Sequence, residues 1–417
     1  MQQHGWKKCV IDDLSPFITS GSRGWAGYYS STGALFLRIT NLTREHPFLD
    51  LRDKKYVALP TSNTEGARTK VQHEDVLVSI TADLGIIGYV TSEVAETGAY
   101  INQHIALVRI RSPKVVNQFL AYYLSGPRAQ KRFRQIADRG AKTGLNLDAI
   151  RHFSVEYPSL EEQSRTVELL STWDRAIEQT ERLIAAKRRR KQALMQQLLT
   201  GRRRFKEFVR SRSVQDTKFG PVPKDWQYLK VGDFASEVTE RNVTGEDLPV
   251  LSCTKYGGLV ESLKYFGKRV FSEDTTNYKV VRRNQFAYPC NHVEEGSIGV
   301  LDFMDVGIVS PIYAVFQADT RAHVPFLYAL FKTELYRHIF EVSTSASVDR
   351  RGSLRWSQFA QIKVALPRLE EQTKIADCLA CSDRETDGLR HRLDAMKHQK
   401  RGLMQQLLTG KVRVASL

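Results

Sequence analysis

Polar and basic side chains that can read nucleic-acid bases are concentrated in the glycine-rich stretches of this chain. An arginine can donate two hydrogen bonds to guanine, and an asparagine or glutamine amide can pair similarly with adenine. Taken singly, such residues are usually ordinary surface residues, so the prediction concerns the set. The first half of the chain contributes Ser22, Arg23, Arg38, Asn41, Thr81, Lys142 and Asn146. The second half contributes Ser252, Thr254, Lys255, Tyr256, Asn291, His292, Arg350, Arg351 and Arg355.

The sequence motifs that usually accompany catalysis are missing. There is no GxxxxGK[ST] phosphate-binding loop, no GxGxxG after a strand and no HExxH zinc motif. The Asp/Asn-Pro-Pro-aromatic motif of amino-methylation is also absent. The stretch EDTTNYK at 273–279 places acidic residues near a lysine, but its pattern is more typical of strand and loop. The sequence therefore predicts a chain without catalytic residues.

The five cysteines are odd in number and scattered, which does not indicate a disulfide framework. Cys378 and Cys381 form a CxxC pair, but a structural zinc site needs four ligands and no second pair lies nearby. We therefore predict no metal site. A reducing cytoplasm is the expected compartment, since the start MQQHGWKKCV has no apolar signal region and no run of about 18 apolar residues occurs.

Length and charge limit the classes of protein to consider. At 417 residues, the chain is long enough for about two to four domains. Its formal net charge of +16 and pI of about 9.6 favour a polyanionic partner, with nucleic acid as the first candidate. A hydrophobic content of 41% is that of a folding chain.

An internal repeat organises the sequence. The octapeptide LMQQLLTG occurs at 194–201 and again at 403–410, an offset of 209 residues. Without a gap, 158–204 and 367–413 share 19 identities in 47 positions. Each copy begins after a proline, ends at a glycine and contains strong helix formers between them. Each copy is therefore predicted to form one helix of about 40 residues, or about 60 Å.

Apolar residues at spacings of three and four predict a seam along each helix. The first seam uses Leu170, Trp173, Ile177, Ile184, Leu194 and Leu198, and the second uses Leu379, Leu389, Leu393, Met396, Leu403 and Leu407. We expect the two helices to pair as a coiled coil, although each helix could instead pack on its own domain. The short stretch after Gly201 favours an antiparallel pair, because a parallel one would require it to span the whole helix length.

A globular segment of about 150 residues precedes each helix. The runs VLVSI, IALVRI, GVLDFM and IYAVF predict strands, and VNQFLAYYLSGPRAQKRFRQIA and VPFLYALFKTELYRHIFEV predict one helix region each. The fold class is α+β, present twice, with the antiparallel helices giving a pseudo-two-fold arrangement. The predicted segments are 1–157 (domain 1), 158–201 (helix 1), 202–218 (basic linker), 219–366 (domain 2) and 367–410 (helix 2).

The basic run KRRRK at 187–191 continues as RRRFK at 202–206. One interpretation is a solvated helix face followed by a tether, and the other is contact with DNA phosphates. Phosphate contacts would add affinity and salt dependence without sequence information. The sequence alone leaves both interpretations open.

PSLEEQ with LMQQLLTGRRRF, and PRLEEQ with LMQQLLTGKVRV, resemble the specificity (S) subunits of type I restriction–modification systems, the HsdS family. The segment SCTKYGGLV at 252–260 and the opening W…GDF of the second domain resemble its target recognition domains. The resemblance covers the full chain.

The resemblance implies a non-catalytic subunit whose two domains each read one half of a bipartite double-stranded DNA target. The paired helices would set the spacing and dock two methyltransferase (M) subunits, with restriction (R) subunits also expected and no membrane partner. S-adenosylmethionine, ATP and Mg would belong to those partners, with no cofactor in this chain. Two alternatives stay open: a stand-alone DNA-binding or scaffold protein, and a self-contained DNA-modifying enzyme with unrecognised motifs.

Overall fold

The computed structural model describes residues 5–21, 23–59, 65–139, 145–345 and 353–414. The chain divides into two compact units. Unit 1 comprises residues 1–182 and 390–417, and unit 2 comprises residues 183–389. The division falls within both long helices, so each unit contains the start of one long helix and the end of the other.

Within the described residues, the first half of the chain forms ten strands and five short α-helices before the first long helix. In chain order these are β1 (Lys7–Val10), β2 (Pro16–Ser20), β3 (Tyr29–Ser30), β4 (Ala34–Leu37), β5 (Tyr56–Val57), α1 (Glu65–Thr69), β6 (Val76–Ser79), β7 (Ile87–Tyr89), α2 (Ser92–Glu96), β8 (Tyr100–Ile101), β9 (Ile105–Ile110), α3 (Asn117–Ser125), α4 (Pro127–Arg139), α5 (Leu147–Arg151), β10 (Ser154–Tyr157) and the long helix α6 (Leu160–Leu198).

The second half repeats this plan with different additions. Its elements are β11 (Val214–Thr217), β12 (Gly220–Pro223), β13 (Gln227–Lys230), α7 (Val231–Phe234), β14 (Ala235–Glu237), β15 (Leu251–Thr254), β16 (Gly258–Glu261), α8 (Ser262–Phe266), β17 (Lys279–Arg282), β18 (Phe286–Pro289), β19 (Gly299–Val300), β20 (Val306–Val309), β21 (Tyr313–Ala318), α9 (Val324–Phe331), α10 (Glu334–Ser345), α11 (Trp356–Phe359), β22 (Lys363–Leu366) and the long helix α12 (Leu369–Leu407).

Each unit contains a four-stranded antiparallel sheet with the same order of strands. The order is β2-β9-β6-β7 in unit 1 and β14-β21-β18-β19 in unit 2. A separate antiparallel pair joins the first and last strands of each domain, β1 with β10 and β13 with β22. Strands β6 and β18 are buried at every position, as expected for short continuous apolar runs. We call the two four-stranded sheets, the two strand pairs and the two long helices the shared scaffold.

The turn that precedes β6 in unit 1 and β18 in unit 2 is also repeated. Glu74 (φ 70°) and Asn284 (φ 67°), each two residues before its strand begins, adopt the left-handed conformation. The next side chain closes the turn in both units. Asp75 accepts a hydrogen bond from the Gln72 amide at 2.6 Å, and Gln285 accepts one from the Arg282 amide at 2.8 Å. The duplication therefore extends from the helices into the domains.

Two sequence predictions of secondary structure need correction. Each predicted helix region is two helices, α3 and α4 in unit 1 and α9 and α10 in unit 2. In unit 1 the break falls at Gly126, whose ψ of 154° is extended because the following Pro127 disfavours helical backbone before it. The run GVLDFM forms a strand only at Gly299–Val300, and the chain then turns.

In unit 1, the start of α6 packs against the end of α12. Leu170 shares one hydrophobic core with Met404, Leu407 and Leu408. Asp174 forms an ion pair with Lys400, and Glu162 forms one with Arg413 at 2.6 Å. As the residue number increases along α6, the number of the partner residue at the end of α12 decreases, so the antiparallel pairing is confirmed.

Unit 2 repeats these contacts with the roles of the helices exchanged. Leu198 shares a core with Ile375 and Leu379. Lys191 pairs with Asp383 at 2.5 Å, and Lys187 pairs with Glu385 at 2.7 Å. Because both helix segments enter the domain core of each unit, coiled-coil pairing and packing on a domain occur together. Burying one leucine side chain of this kind contributes about 1.5–3 kcal/mol.

A buried glutamine ties the start of each long helix to its domain. Gln163 donates to the carbonyl oxygens of Pro158 (2.9 Å) and Lys114 (3.2 Å) and accepts from the Val116 amide at 2.8 Å. Gln372 makes the equivalent bonds to the Pro367 and Arg321 carbonyls, both at 2.9 Å, and to the His323 amide at 2.8 Å. We call this arrangement the glutamine clamp. All of its partners are main-chain atoms.

Both long helices end in the same way. Gly201 (φ 71°) and Gly410 (φ 65°) adopt the left-handed conformation that terminates a helix. Within the part of the chain that the structure describes, no helix is both long enough and apolar enough to cross a membrane.

The units differ in the segments that connect the shared strands. Unit 1 contains a small sheet in the order β3-β5-β4-β8, with its own aromatic cluster around Trp25 and Phe36. Unit 2 instead contains the β15–β16 hairpin, the short helix α8 and the β17–β20 pair. We call these segments the insertions. The shared scaffold is thus combined with two unrelated insertions.

Candidate nucleic-acid interface

Strands β6 and β18 each end at a place where two parts of the chain come together. Residues predicted from the sequence to contact bases lie in both parts. In unit 1, the Leu145 amide donates to the Ile80 carbonyl at 3.0 Å, which brings Asn146 beside Thr81. We call residues 80–82 with 145–146, and their unit 2 equivalents 290–292 with 354–355, the edge loops. Lys142 lies between the described residues that flank this site and is itself outside them.

The equivalent edge loops of unit 2 join in the same way. The Leu354 amide donates to the Cys290 carbonyl at 2.7 Å, which brings Arg355 beside Asn291 and His292. Asn291, His292 and Arg355 are exposed. Arg350 and Arg351, predicted from the sequence for the same loop, lie outside the described residues. The sequence prediction therefore places candidates from both units at one topologically equivalent position.

Several predicted residues of unit 1 make structural contacts. Arg38 forms an ion pair with Asp53 at 2.7 Å. Asn41 is buried, and its Nδ2 donates to the carbonyl oxygens of Asp50 (2.9 Å) and Asp53 (3.0 Å). These bonds fix the segment between β4 and β5, so the buried Asn41 amide supports the loop from within.

Two further residues of unit 1 also have partners. Asn146 caps α5 by accepting from the Ala149 amide at 2.7 Å. Thr81 Oγ1 lies 2.5 Å from His104 Nδ1. Arg23 is exposed, and Ser22 lies outside the described residues. Of these unit 1 residues, Arg23 presents a side chain that is available for contact.

In unit 2, Ser252 and Thr254 organise the β15–β16 hairpin. Ser252 Oγ and Ser262 Oγ are 2.7 Å apart. Thr254 Oγ1 accepts from the Gly257 amide at 3.0 Å and donates to the Gly258 carbonyl at 3.3 Å, which closes the turn. Lys255 and Tyr256 stand at the tip of this turn, where Tyr256 is 88% exposed.

A lysine from α9's C-terminal boundary holds this turn in place. Lys332 Nζ donates to the carbonyl oxygens of Lys255 (2.7 Å), Gly296 (2.8 Å) and Ile298 (3.5 Å). Burial lowers the pKa of Lys332. Gly258 is left-handed (φ 64°), and an added Cβ there would lie 2.5 Å from the Tyr328 hydroxyl oxygen. The turn is therefore held in a defined position.

The hairpin tip borders a groove within unit 2. The groove has a volume of about 410 Å³ and is lined in part by Tyr256, Tyr328, Met195 and Asp383. Other lining residues belong to both long helices. The groove is therefore formed by the shared scaffold together with the insertion of unit 2.

Sequence reasoning missed an exposed aromatic patch beside the hairpin. Tyr265 and Phe266 on α8 are exposed, and their ring centroids lie 5.0 Å apart in an edge arrangement. The neighbouring Lys264 and Lys268 are also exposed. Exposed apolar side chains among basic residues are typical of surfaces that contact nucleic acid grooves. The signal in the sequence was the succession of aromatic and basic residues in LKYFGKR at 263–269.

The basic run of α6 has two kinds of residue. Lys187 and Lys191 pair with α12 carboxylates, as described above, and hydrogen bonding to Lys187 lowers the pKa of Glu385. Arg188, Arg189 and Arg190 are exposed. The three arginines therefore form the part of the run that is available to phosphates.

The continuation of this run is not a simple tether. Arg204 has an 8% exposed side chain and pairs with Asp225 at 2.6 Å and Glu371 at 2.8 Å. Its hydrogen bonds to Glu371 raise its pKa. Trp226 Nε1 also donates to Glu371, at 3.2 Å. Arg204 thus has the position in unit 2 that Arg413 has in unit 1, because each pairs with the second glutamate of an LEEQ motif.

Two observations on the described residues concern reactive groups, the burial of the Cys253 thiol and the placement of possible metal ligands. Burial raises the pKa of the Cys253 thiol to about 12, which keeps it protonated and unreactive at neutral pH. No three His, Cys, Asp or Glu side chains lie close enough to hold a metal ion in the part of the chain that the structure describes. Cys378 packs against the unit 2 core, and Cys381 is exposed.

Comparison with known proteins agrees with this geometry. Residues 53–187 match the family described as type I restriction modification DNA specificity domain. The chain is 25% identical over 322 residues to the putative type I restriction enzyme MjaX specificity subunit of Methanocaldococcus jannaschii, covering 75% of this chain and 72% of the relative. It is 24% identical to the MjaVIII specificity subunit of the same organism, covering 64% of each chain.

The fold has a solved counterpart. The HsdS subunit from Thermoanaerobacter tengcongensis superimposes with a TM-score of 0.51 at 15% identity, covering 98% of each chain. In sequence and in fold, the chain is similar to specificity subunits of type I restriction–modification systems.

Proposed function

We propose that this chain is the non-catalytic DNA-recognition subunit of a type I restriction–modification enzyme, and that each globular domain reads one half of a bipartite target. The observation that carries the proposal is the shared scaffold with its two unlike insertions. A duplicated scaffold suits a structural role that is performed twice, once for each half of the target. Insertions that differ suit the recognition of two different base sequences. The net charge of +16 supports a DNA partner.

The proposed DNA contacts are the exposed members of the edge loops and insertions. These are Arg23, Lys255, Tyr256, Asn291, His292 and Arg355, together with the aromatic patch on α8. Side chains such as arginine and asparagine can distinguish bases in the major groove. The exposed arginines of α6 would contribute phosphate contacts, which strengthen binding without selecting a sequence.

The methylation chemistry is assigned to partner subunits. In this proposal two methyltransferase subunits dock on the paired helices and supply S-adenosylmethionine. ATP and Mg would be used by restriction subunits, if the system includes them. This chain then contributes binding and orientation, and its own side chains take part in no bond-breaking step.

The test is methylome sequencing of DNA from cells that express this chain with its cognate methyltransferase subunit, against cells that express either protein alone. We expect a split motif with methyladenine in each half only when both proteins are present. Methylation by this chain alone would contradict the non-catalytic assignment. A continuous motif would contradict the reading of two separate halves.

A further inference from the structure

The insertion of unit 1 contains a short segment that packs on the shared scaffold. Residues 45–48, in the connection between β4 and β5, lie along the edge strand β7. The Tyr89 amide donates to the Pro47 carbonyl at 2.6 Å. Phe48 contacts two tyrosine rings edge to face, with ring centroids 6.3 Å from Tyr89 and 6.2 Å from Tyr122. We call residues 45–48 the plug.

The acidic residue of the plug is bound by α12. The Glu45 carboxylate pairs with Lys397 at 2.9 Å, and the Glu45 carbonyl oxygen accepts from Lys400 Nζ at 3.1 Å. Hydrogen bonding to Lys397 lowers the pKa of Glu45. Lys400 is also the partner of Asp174, so the plug contacts this buried ion pair.

The strand pairing identifies one position of this site in unit 2. Val76 begins β6 and pairs with Tyr89, and Phe286 begins β18 and pairs with Val300. Val300 is therefore the equivalent of Tyr89. The tyrosine that contacts the plug in unit 1 is replaced by a much smaller side chain.

The glutamine clamp identifies a second position. The Val116 and His323 amides bond to the two clamp glutamines, and Tyr122 and Ala329 each lie six residues further along the chain. Ala329 is therefore the equivalent of Tyr122. Both tyrosine rings that surround the plug are missing from unit 2.

The groove of unit 2 described above lies at these positions, since Val300 and Ala329 both line it. The β15–β16 hairpin covers the neighbouring Gly299, where an added Cβ would lie 2.3 Å from the Leu259 nitrogen. It does not close the space beside Val300 and Ala329. The groove is thus the place that the plug and two tyrosine rings fill in unit 1, and its size of about 410 Å³ is within the range of binding sites.

The cationic groups that bind the plug have equivalents in unit 2. In the repeat, Lys191 aligns with Lys400 and Arg188 aligns with Lys397. Lys191 lines the groove, and its side chain is 28% exposed. Arg188 is exposed one turn away on the same helix.

The main-chain donor of the plug site also has an equivalent. The Leu301 amide donates to the Gln285 carbonyl of unit 2 at 3.0 Å. Successive amides of a strand point in opposite directions, so the Val300 amide faces away from β18. The Tyr89 amide has the same direction in unit 1, where it bonds to the plug.

The lining of the groove suits a peptide better than DNA. Asp302 and Asp383 place two carboxylates in its wall, and these would face the phosphates of a duplex. An extended peptide matches the groove if it carries a carboxylate for Arg188 and an aromatic ring for the space beside Val300 and Ala329. The plug of this chain is already bound in unit 1, so the segment has to come from another protein.

We propose that the groove of unit 2 binds an extended acidic–aromatic segment of another protein, in the way that unit 1 binds its own plug. The ring of the bound residue occupies the space of the two missing tyrosine rings, so an indole fits it better than a phenyl ring. This site has no open counterpart at the plug position of unit 1, and the inference does not depend on the proposed function.

The probe is a fluorescein-labelled peptide with the sequence of residues 43–50, TREHPFLD, and its binding to the full chain is measured by fluorescence anisotropy. We expect saturable binding. Phe48→Trp in the peptide should strengthen it about threefold to tenfold, because more apolar area is buried. Phe48→Ala in the peptide should weaken it about tenfold or more.

Two variants of the chain locate the bound peptide. Ala329→Tyr restores one ring of unit 1 and should reverse the preference, so that the phenylalanine peptide binds better than the tryptophan peptide. Arg188→Glu should weaken both peptides, and Glu45→Lys in the peptide should restore binding to this variant. Arg189→Glu is the matched control, because Arg189 is an exposed neighbour and should leave the affinities unchanged. Thermal melting of each variant checks that the fold is unchanged.

Four results would overturn the inference. The first is no saturable binding of any peptide to the unsubstituted chain. The second is binding that neither Ala329→Tyr nor Arg188→Glu alters while the melting temperatures are unchanged. The third is a chain that forms a dimer in light scattering and becomes a monomer with Ala329→Tyr, since a second copy would then occupy the groove. The fourth is a DNA duplex whose affinity for the chain changes with Ala329→Tyr. Because no readout is methylation, the proposed function is tested separately.

Discussion

One ion pair occurs twice in the chain in different surroundings. Asp174 and Lys400 are 7% and 3% exposed, whereas the equivalent Asp383 and Lys191 are 52% and 28% exposed. Asp174 also accepts from the Tyr122 hydroxyl at 2.7 Å. Removing a partner from a buried pair leaves a desolvated charge, while an exposed carboxylate regains water.

We therefore predict unequal costs for the same substitution at equivalent positions. Lys400→Met should lower the free energy of unfolding by about 3–5 kcal/mol, and Lys191→Met by about 0–1 kcal/mol. Urea unfolding followed by circular dichroism measures both. Equal costs would mean that burial does not govern the strength of this pair.

A second residue-scale prediction concerns Lys332. Lys332→Met removes the donor of three carbonyl oxygens around the hairpin turn and should cost about 1–3 kcal/mol of stability. Lys268→Met is the control, because Lys268 is exposed, and it should change stability by less than about 0.5 kcal/mol. Urea unfolding checks both, and similar small effects would show that the turn does not depend on Lys332.

At this scale, residue type did not distinguish exposed candidates for base contact from residues with a structural bond. Asn291 and Arg355 are exposed at an edge loop, whereas Asn41 and Asn146 hydrogen-bond to the backbone. Polar residues in glycine-rich loops have both uses, because short side chains also cap helices and close turns. Only burial and hydrogen-bond geometry separate the two uses, and neither can be read from residue type.

At the scale of elements, glycines of the long helices provide a matched comparison. Gly388 lies in the interior of α12, and an added Cβ would meet nothing within 4 Å. Gly201 is left-handed, and an added Cβ would lie 2.5 Å from Pro223 Cγ.

We predict that Gly388→Ala raises the free energy of unfolding by about 1 kcal/mol, because alanine favours helix over glycine. Gly201→Ala should lower it by at least about 1–2 kcal/mol, because it combines left-handed strain with a clash. Thermal melting of the two variants should shift in opposite directions. A stabilising Gly201→Ala would show that the helix end can rearrange freely.

The long helices were the most predictable elements, because capping residues, length and repeat all agreed. Their antiparallel pairing followed from the short connection after Gly201. The short helices were less predictable, since the break at Gly126–Pro127 interrupts an otherwise continuous apolar pattern. The exposed α8 patch was not predicted, because apolar residues in a short segment usually indicate core.

At the scale of the whole molecule, the proposed halves of the target should be separable. Replacing residues 1–157 by the corresponding domain of another specificity subunit should change one half of the methylated motif and leave the other unchanged. Methylome sequencing of cells with the cognate methyltransferase measures this. A change in both halves would show that the domains do not read DNA independently. The five-segment division of the chain stays a prediction that this exchange also tests.

The insertions could not be predicted beyond their existence. Their strands are short, from two to four residues in the small sheet of unit 1, so they carry little periodicity. Their contacts depend on the strands of the shared scaffold that flank them.

The glutamine clamp has a consequence for how such chains can diversify. Gln163 and Gln372 hold main-chain atoms of Lys114 and Val116 in one unit and of Arg321 and His323 in the other. The side chains at these positions differ, yet the bonds are the same. A different domain joined at the proline would therefore keep the bonds of the glutamine clamp whatever side chains it carries at these positions. The clamp makes the junction between domain and helix independent of residue identity on the domain side, and the packing of the domain core alone has to match the helix.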